Sequence, residues 1–148
     1  MTRLFLAAFV ICLLPLPSTQ LADAHCEVPC GIFTDQMRFE KMLEDTATMK
    51  KAMGKIVELA AKTDAQSLNQ AVRWINTKED HAKEVQHTIA QYFMAQRIKP
   101  SQENYVKRLT TAHAVMTAAM KCKQTTDQAQ ADALNAAILA FHKVYEGK

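Results

Sequence analysis

The run FEKMLEDTATMKKAMGKIVELA, residues 39–60, decides the fold class, because Phe39, Leu43, Met49, Met53, Ile56 and Ala60 recur at helical spacing among charged neighbours. It reads as one long amphipathic helix. The same spacing returns three times toward the carboxyl end. A second helix is predicted from about Ala65 to Ile98, with Leu68, Val72, Ile75, Val85, Ile89, Tyr92 and Phe93 inward, an unusually polar middle from Asn76 to His81, and Pro100 as its stop. Ser101 can cap a third helix carrying Tyr105, Leu109, Ala112, Met116 and Met120. Thr125 and Gln128 suit a capping box for a fourth, with Leu134, Ile138, Phe141 and Tyr145 on its apolar face. Four helices with short connections predict an all-α, antiparallel four-helix bundle over residues 34–148.

Composition agrees. The 148 residues include only 3 Gly and 4 Pro, which excludes collagen-like and low-complexity chains and disfavours a many-turned β fold. The net charge of +3 comes from basic residues spread along the chain, and 7% aromatics give little to stack on bases, so nucleic-acid binding has no footprint.

Ahead of the helices, Arg3, the apolar run Leu4–Leu14 and the triplet Ala22-Asp23-Ala24 read as a secretory leader, residues 1–24, cleaved after Ala24. The apolar run is about half of the ~20 residues that span a bilayer, so an exported protein, periplasmic or secreted and off the membrane after cleavage, is expected. Cleavage would leave Cys26, Cys30 and Cys122, an odd number for an oxidising compartment. Either Cys26 and Cys30 form a small disulfide, or they are thiolate ligands protected by a metal. In the disulfide reading Cys122 packs as a small hydrophobe at the end of a helix.

Residues 25–33, His25-Cys26-Glu27-Val28-Pro29-Cys30-Gly31-Ile32-Phe33, form the candidate metal hook. With His25 terminal, its amine and the Cys26 amide nitrogen span a five-membered chelate ring. The Cys26 sulfur closes a second such ring, and the Cys30 sulfur completes an N₂S₂ plane. His25 Nδ1 can reach an axial position, Pro29 fixes the turn and Gly31 lets the backbone reverse. Square-planar nitrogen and sulfur donors suit Ni(II) or Cu(II) rather than zinc or calcium, and two thiolates with a deprotonated amide stabilise a higher oxidation state, which favours nickel and one-electron chemistry.

These residues, His25-Cys26-x-x-Pro29-Cys30-Gly31, resemble the amino-terminal nickel hook of the nickel-containing superoxide dismutases. The resemblance implies a superoxide dismutase with one nickel per chain, a substrate of superoxide, and a homohexameric assembly. It implies that His25 gives the amine and an axial imidazole, Cys26 the amide nitrogen and a thiolate, and Cys30 the second thiolate. Family members usually place tyrosine where this chain has Phe33, so a hydroxyl is missing there. Arg38-Phe39-Glu40 resembles the family segment whose glutamate holds the axial histidine, which makes Glu40 a candidate partner for the His25 ring; the alternative is a solvated glutamate near the helix start. Lys78-Glu79-Asp80-His81 resembles a segment in which some members carry arginine at the position of His81.

Two other readings use the same residues. A di-iron bundle needs two E-x-x-H motifs, and only Glu84 with His87 supplies one. A copper- or nickel-carrying arm without turnover could use the hook's donor atoms unchanged. His113, among Val106, Leu109, Met116 and Met120, reads as a core or interface histidine, His142 as solvated, and the methionines as packing.

Overall fold

The structure, a computed structural model, describes residues 34–147; the expected leader and the expected hook, His25 to Phe33, lie outside the described residues. Thr34 opens the first helix, α1 (Asp35–Ala60): its backbone is extended and its hydroxyl accepts from the Met37 amide at 3.4 Å. Asp64 caps α2 (Ala65–His87), its carboxylate taking the Ser67 amide at 2.9 Å and the Ser67 hydroxyl at 2.7 Å. Without a break this helix widens into π turns over Thr88–Arg97, which end where the Ile98 amide donates to the Phe93 carbonyl at 2.9 Å. Then come α3 (Tyr105–Gln124) and α4 (Gln128–Glu146), the latter closed by Gly147 at φ 75°, the left-handed conformation that glycine tolerates. Each helix packs against its neighbour in sequence and α1 closes on α4, an antiparallel all-α bundle.

The core runs the length of that bundle, through Phe39, Met42, Met49 and Met53 of α1, Val85, Ile89 and Phe93 of α2 and its extension, Ala112, Val115 and Ala119 of α3, and Leu134, Ile138 and Phe141 of α4. At one end the rings of Phe39, Phe93, Phe141 and Tyr145 meet with centroids 4.8 to 5.8 Å apart, tilted or edge-on, as aromatic quadrupoles prefer.

Several expectations are corrected. Leu68, Val72 and Ile75 do not point into the core; they are 66%, 48% and 41% exposed, and α2 buries Ser67 and Ala71 in that stretch instead. Periodicity finds an apolar stripe but not what covers it, and α3 ends before reaching these residues. Ala60 and Met120 are exposed for the same kind of reason, at the margins of their stripes. Ser101 sits in a turn and caps nothing; Gln102 ties that turn, accepting from the Lys99 amide and donating to the Arg97 carbonyl. Asp127, not Thr125, caps α4, accepting from the Ala129 amide at 3.0 Å, while the Thr125 hydroxyl accepts from the Asp127 amide. His113 is exposed, and His142 is not simply solvated: its ring stacks on Phe39 at 4.0 Å and its Nε2 meets Glu146 at 2.9 Å. Glu84 and His87 both lie on the exposed surface.

The polar middle of α2 has a packing role. Lys78 is buried, and its ammonium donates to the carbonyls of Cys122 (3.0 Å) and Lys123 and to Glu79 (3.1 Å). Those carbonyls belong to the last turn of α3, which has no partners for them within the helix, and a cation there also opposes the negative end of the helix dipole. Lys78→Ala should therefore destabilise the fold by about 2–3 kcal/mol, since it strands buried carbonyls, with Lys78→Arg recovering part of the loss; chemical denaturation measures both.

Candidate metal centre

In the chain the expected hook ends at Phe33, and the start of α1 is the first described structure that follows it. Asp35, in the first turn, accepts a hydrogen bond from the Tyr92 hydroxyl on Oδ1 and from the Tyr145 hydroxyl on Oδ2 at 2.6 Å. Arg97 Nη2 donates to the Tyr92 oxygen at 2.8 Å, and Arg97 Nε stands 3.4 Å from Asp35 Oδ1. The π turns make this pairing: with more than four residues per turn, Arg97 comes round over Tyr92 five residues earlier, its guanidinium 4.9 Å from the ring centroid. Arg38 also lies over that ring, at 4.6 Å. Burial pushes the Asp35 carboxyl up, but the two hydroxyls and the Arg97 and Arg38 charges together outweigh it, and the net is a carboxyl held below its ordinary range. Burial first, and then the Asp35 charge, push both tyrosine phenols up, so they keep their protons.

One turn into α1, a cavity of about 340 Å³ opens between α1 and α2, lined by Met37, Arg38, Lys41, Asp45, Glu84 and Thr88. Asp45 is buried at its base and is held by His81 Nδ1 at 2.6 Å and by Lys41. His81 is thus engaged by a carboxylate of α1. Glu40 is exposed, and its Oε1 accepts from Gln36 Nε2 at 2.9 Å. Its helix neighbours Met37 and Lys41 belong to the cavity wall.

The remaining expected site residues, His25, Cys26, Pro29, Cys30, Gly31 and Phe33, lie outside the described residues. Among the described residues no group of three or more His, Cys, Asp or Glu side chains could hold a metal ion, and no helix is long and apolar enough to cross a membrane. Cys122 is buried beside the end of α3, and burial, only partly opposed by the Lys78 charge, pushes its thiol up to about 11. The Asp35 and Asp45 networks carry no local motif: each joins residues at least 36 positions apart, and only the polar run Asn76 to His81 hinted at one of them.

A family model described as nickel-containing superoxide dismutase matches residues 20–148, a span that includes the hook residues as well as the whole bundle. No curated protein and no solved structure matches the chain.

The Asp35 network sets a pH dependence. Because the folded carboxyl lies below its ordinary value, the unfolded chain takes up the proton first as pH falls, and the network's contribution is present above about pH 4 and lost below it. Asp35→Asn should flatten the fall of Tm with acid in that window. Tyr145→Phe should cost about 1 kcal/mol at neutral pH, small because Asp35 is about one-third exposed and water can replace the hydroxyl. A Tm against pH profile for wild type and both variants tests the assignment.

Proposed function

The chain belongs to the nickel-containing superoxide dismutase family, and from that premise we propose how its own residues carry out the reaction. It is a superoxide dismutase, an oxidoreductase whose cofactor is nickel. The observation that carries the reading is the family match over residues 20–148.

Removal of residues 1–24 during export, to a periplasm or the extracellular space, exposes the amine of His25. That amine and the His25 imidazole, the Cys26 amide nitrogen and thiolate, and the Cys30 thiolate are the donors that would hold one nickel per chain, and their chemistry fits it: anionic sulfur and amide donors favour a higher oxidation state. Nickel supplies one-electron chemistry, alternating Ni(III) and Ni(II), so that one superoxide leaves as dioxygen and a second, with two protons, leaves as hydrogen peroxide. Pro29 and Gly31 shape the turn that brings Cys30 back toward Cys26. Glu40, by the family resemblance of Arg38-Phe39-Glu40, is the residue this reading assigns to the second ring nitrogen of His25, the kind of partner metal-bound histidines take. Phe33 has no hydroxyl proton to give, and the Tyr92 hydroxyl donates to Asp35. The protein assembles as a homo-oligomer, a hexamer by its family resemblance.

Cys26→Ser or Cys30→Ser should lower nickel-dependent superoxide decay by at least about 100-fold, while His25→Ala, which keeps the amine, should retain part of the nickel and lose at least about tenfold in rate. One residue added before His25 turns the amine into an amide and should abolish turnover. Superoxide decay and nickel content of each purified variant check these outcomes. Near-normal decay in either serine variant would remove the thiolate mechanism, and a nickel- or copper-loaded wild type without turnover would favour a metal carrier.

A further inference from the structure

Two phenols occupy both oxygens of one carboxylate: the Tyr92 hydroxyl donates to Asp35 Oδ1 and the Tyr145 hydroxyl to Oδ2 at 2.6 Å. Phe93 bridges the two rings, its centroid 5.2 Å from each and edge-on to both. Tyr92 is fully buried, while Tyr145 is partly exposed, so Tyr145 is the ring that a small molecule reaches first. The cations around the pair are uneven. Arg97 Nη2 donates to the Tyr92 oxygen at 2.8 Å, and the guanidiniums of Arg38 and Arg97 stand 4.6 and 4.9 Å from that ring's centroid. Over Tyr145 stands Arg108, at 5.0 Å, and its Nη2 donates to the Tyr145 backbone carbonyl, which leaves the hydroxyl to Asp35. A cation on a ring and a donor on its oxygen both hold electrons back, so Tyr145 is the easier of the two to oxidise. Burial, and then the bond to Asp35, push the Tyr145 phenol up, so the ring is neutral and its electron leaves readily only with its proton. Asp35, held below the ordinary carboxyl range, is the ionised base in line with that proton.

We propose that Tyr145, with Asp35 as its proton acceptor, is a redox site that traps one-electron oxidants at this end of the bundle. In the trapping step an electron passes from the Tyr145 ring to an oxygen-centred radical, the class of oxidant that hydrogen peroxide yields at a redox metal. The hydroxyl proton passes to Asp35 Oδ2, which leaves a neutral phenoxyl radical beside a neutral carboxyl. Superoxide then returns the electron and leaves as dioxygen, while the proton goes back from Asp35 to the phenoxyl oxygen. Each cycle removes one oxidant that would otherwise meet the sulfur of Met42, Met49, Met53 or Cys122 in the core against which Tyr145 packs. The site goes beyond the dismutase reading and rests on it only for the superoxide that resets it.

The test is electron paramagnetic resonance on the full chain as purified, oxidised with photogenerated ruthenium(III) tris-bipyridine and frozen, with the phenoxyl absorption followed in parallel after a laser flash. Wild type should give a tyrosyl radical, distinct from any nickel signal. Tyr145→Phe should lose most of it, and Tyr105→Phe should keep it. Phenoxyl formation in wild type should slow about twofold or more in D₂O, since the proton moves with the electron. Asp35→Asn, whose amide cannot take the proton, should slow it at least about tenfold, and the isotope effect on wild type stands in should that variant perturb the fold. Added superoxide should bleach the wild-type radical. A signal that survives Tyr145→Phe, or that resides on Trp74 or Tyr105, would overturn the site. Equal rates in D₂O and water would overturn the proton acceptor, and a radical that superoxide leaves untouched would overturn the reset. None of these readouts depends on dismutase turnover, so the two readings fail separately.

Discussion

One carboxylate ties three parts of the fold together. Asp35, in the first turn of α1, receives hydroxyls from the π segment and from the last turns of α4, with Arg97 beside it. The aromatic cluster of Phe39, Phe93, Phe141 and Tyr145 lies against this tie, so one end of the bundle is held by packing and by charge-assisted hydrogen bonds together. Thr34 enters the bundle at that end, beside the cavity that Arg38, Lys41 and Asp45 line.

The charges of that cavity are arranged with economy. Asp45 is buried, yet it is answered by His81 from across the helix pair and by Lys41 from one turn away, so an acid that would be costly alone becomes a strut between α1 and α2. Lys78 does the reverse at the far side of α2, a buried cation answered by carbonyls of α3. The polar stretch from Asn76 to His81 thus serves two helices at once.

Helix existence was legible because it depends on local spacing: the stripes of residues 39–60 and of Leu134, Ile138 and Phe141 became α1 and α4 largely as read. The candidate donor set from His25 to Cys30 is a reading of a different kind, since its chelate rings would be closed by covalent neighbours and call for no tertiary fold. The Asp35 tie was not, because Tyr145 is 110 residues away and no local pattern announces such a partner. The exposure of Leu68, Val72 and Ile75 was hidden too: an apolar stripe looks the same whether its cover comes from within the chain or from outside it.

The third cysteine carries a consequence for durability. Superoxide dismutation makes hydrogen peroxide, which is a hazard to cysteine, and oxidation proceeds through the thiolate. With its thiol pushed up to about 11, Cys122 offers the thiolate in only about one molecule in ten thousand at pH 7, and its burial keeps peroxide at a distance. Sequestered in this way, the sulfur of Cys122 is withheld from exchange with any other thiol the molecule meets.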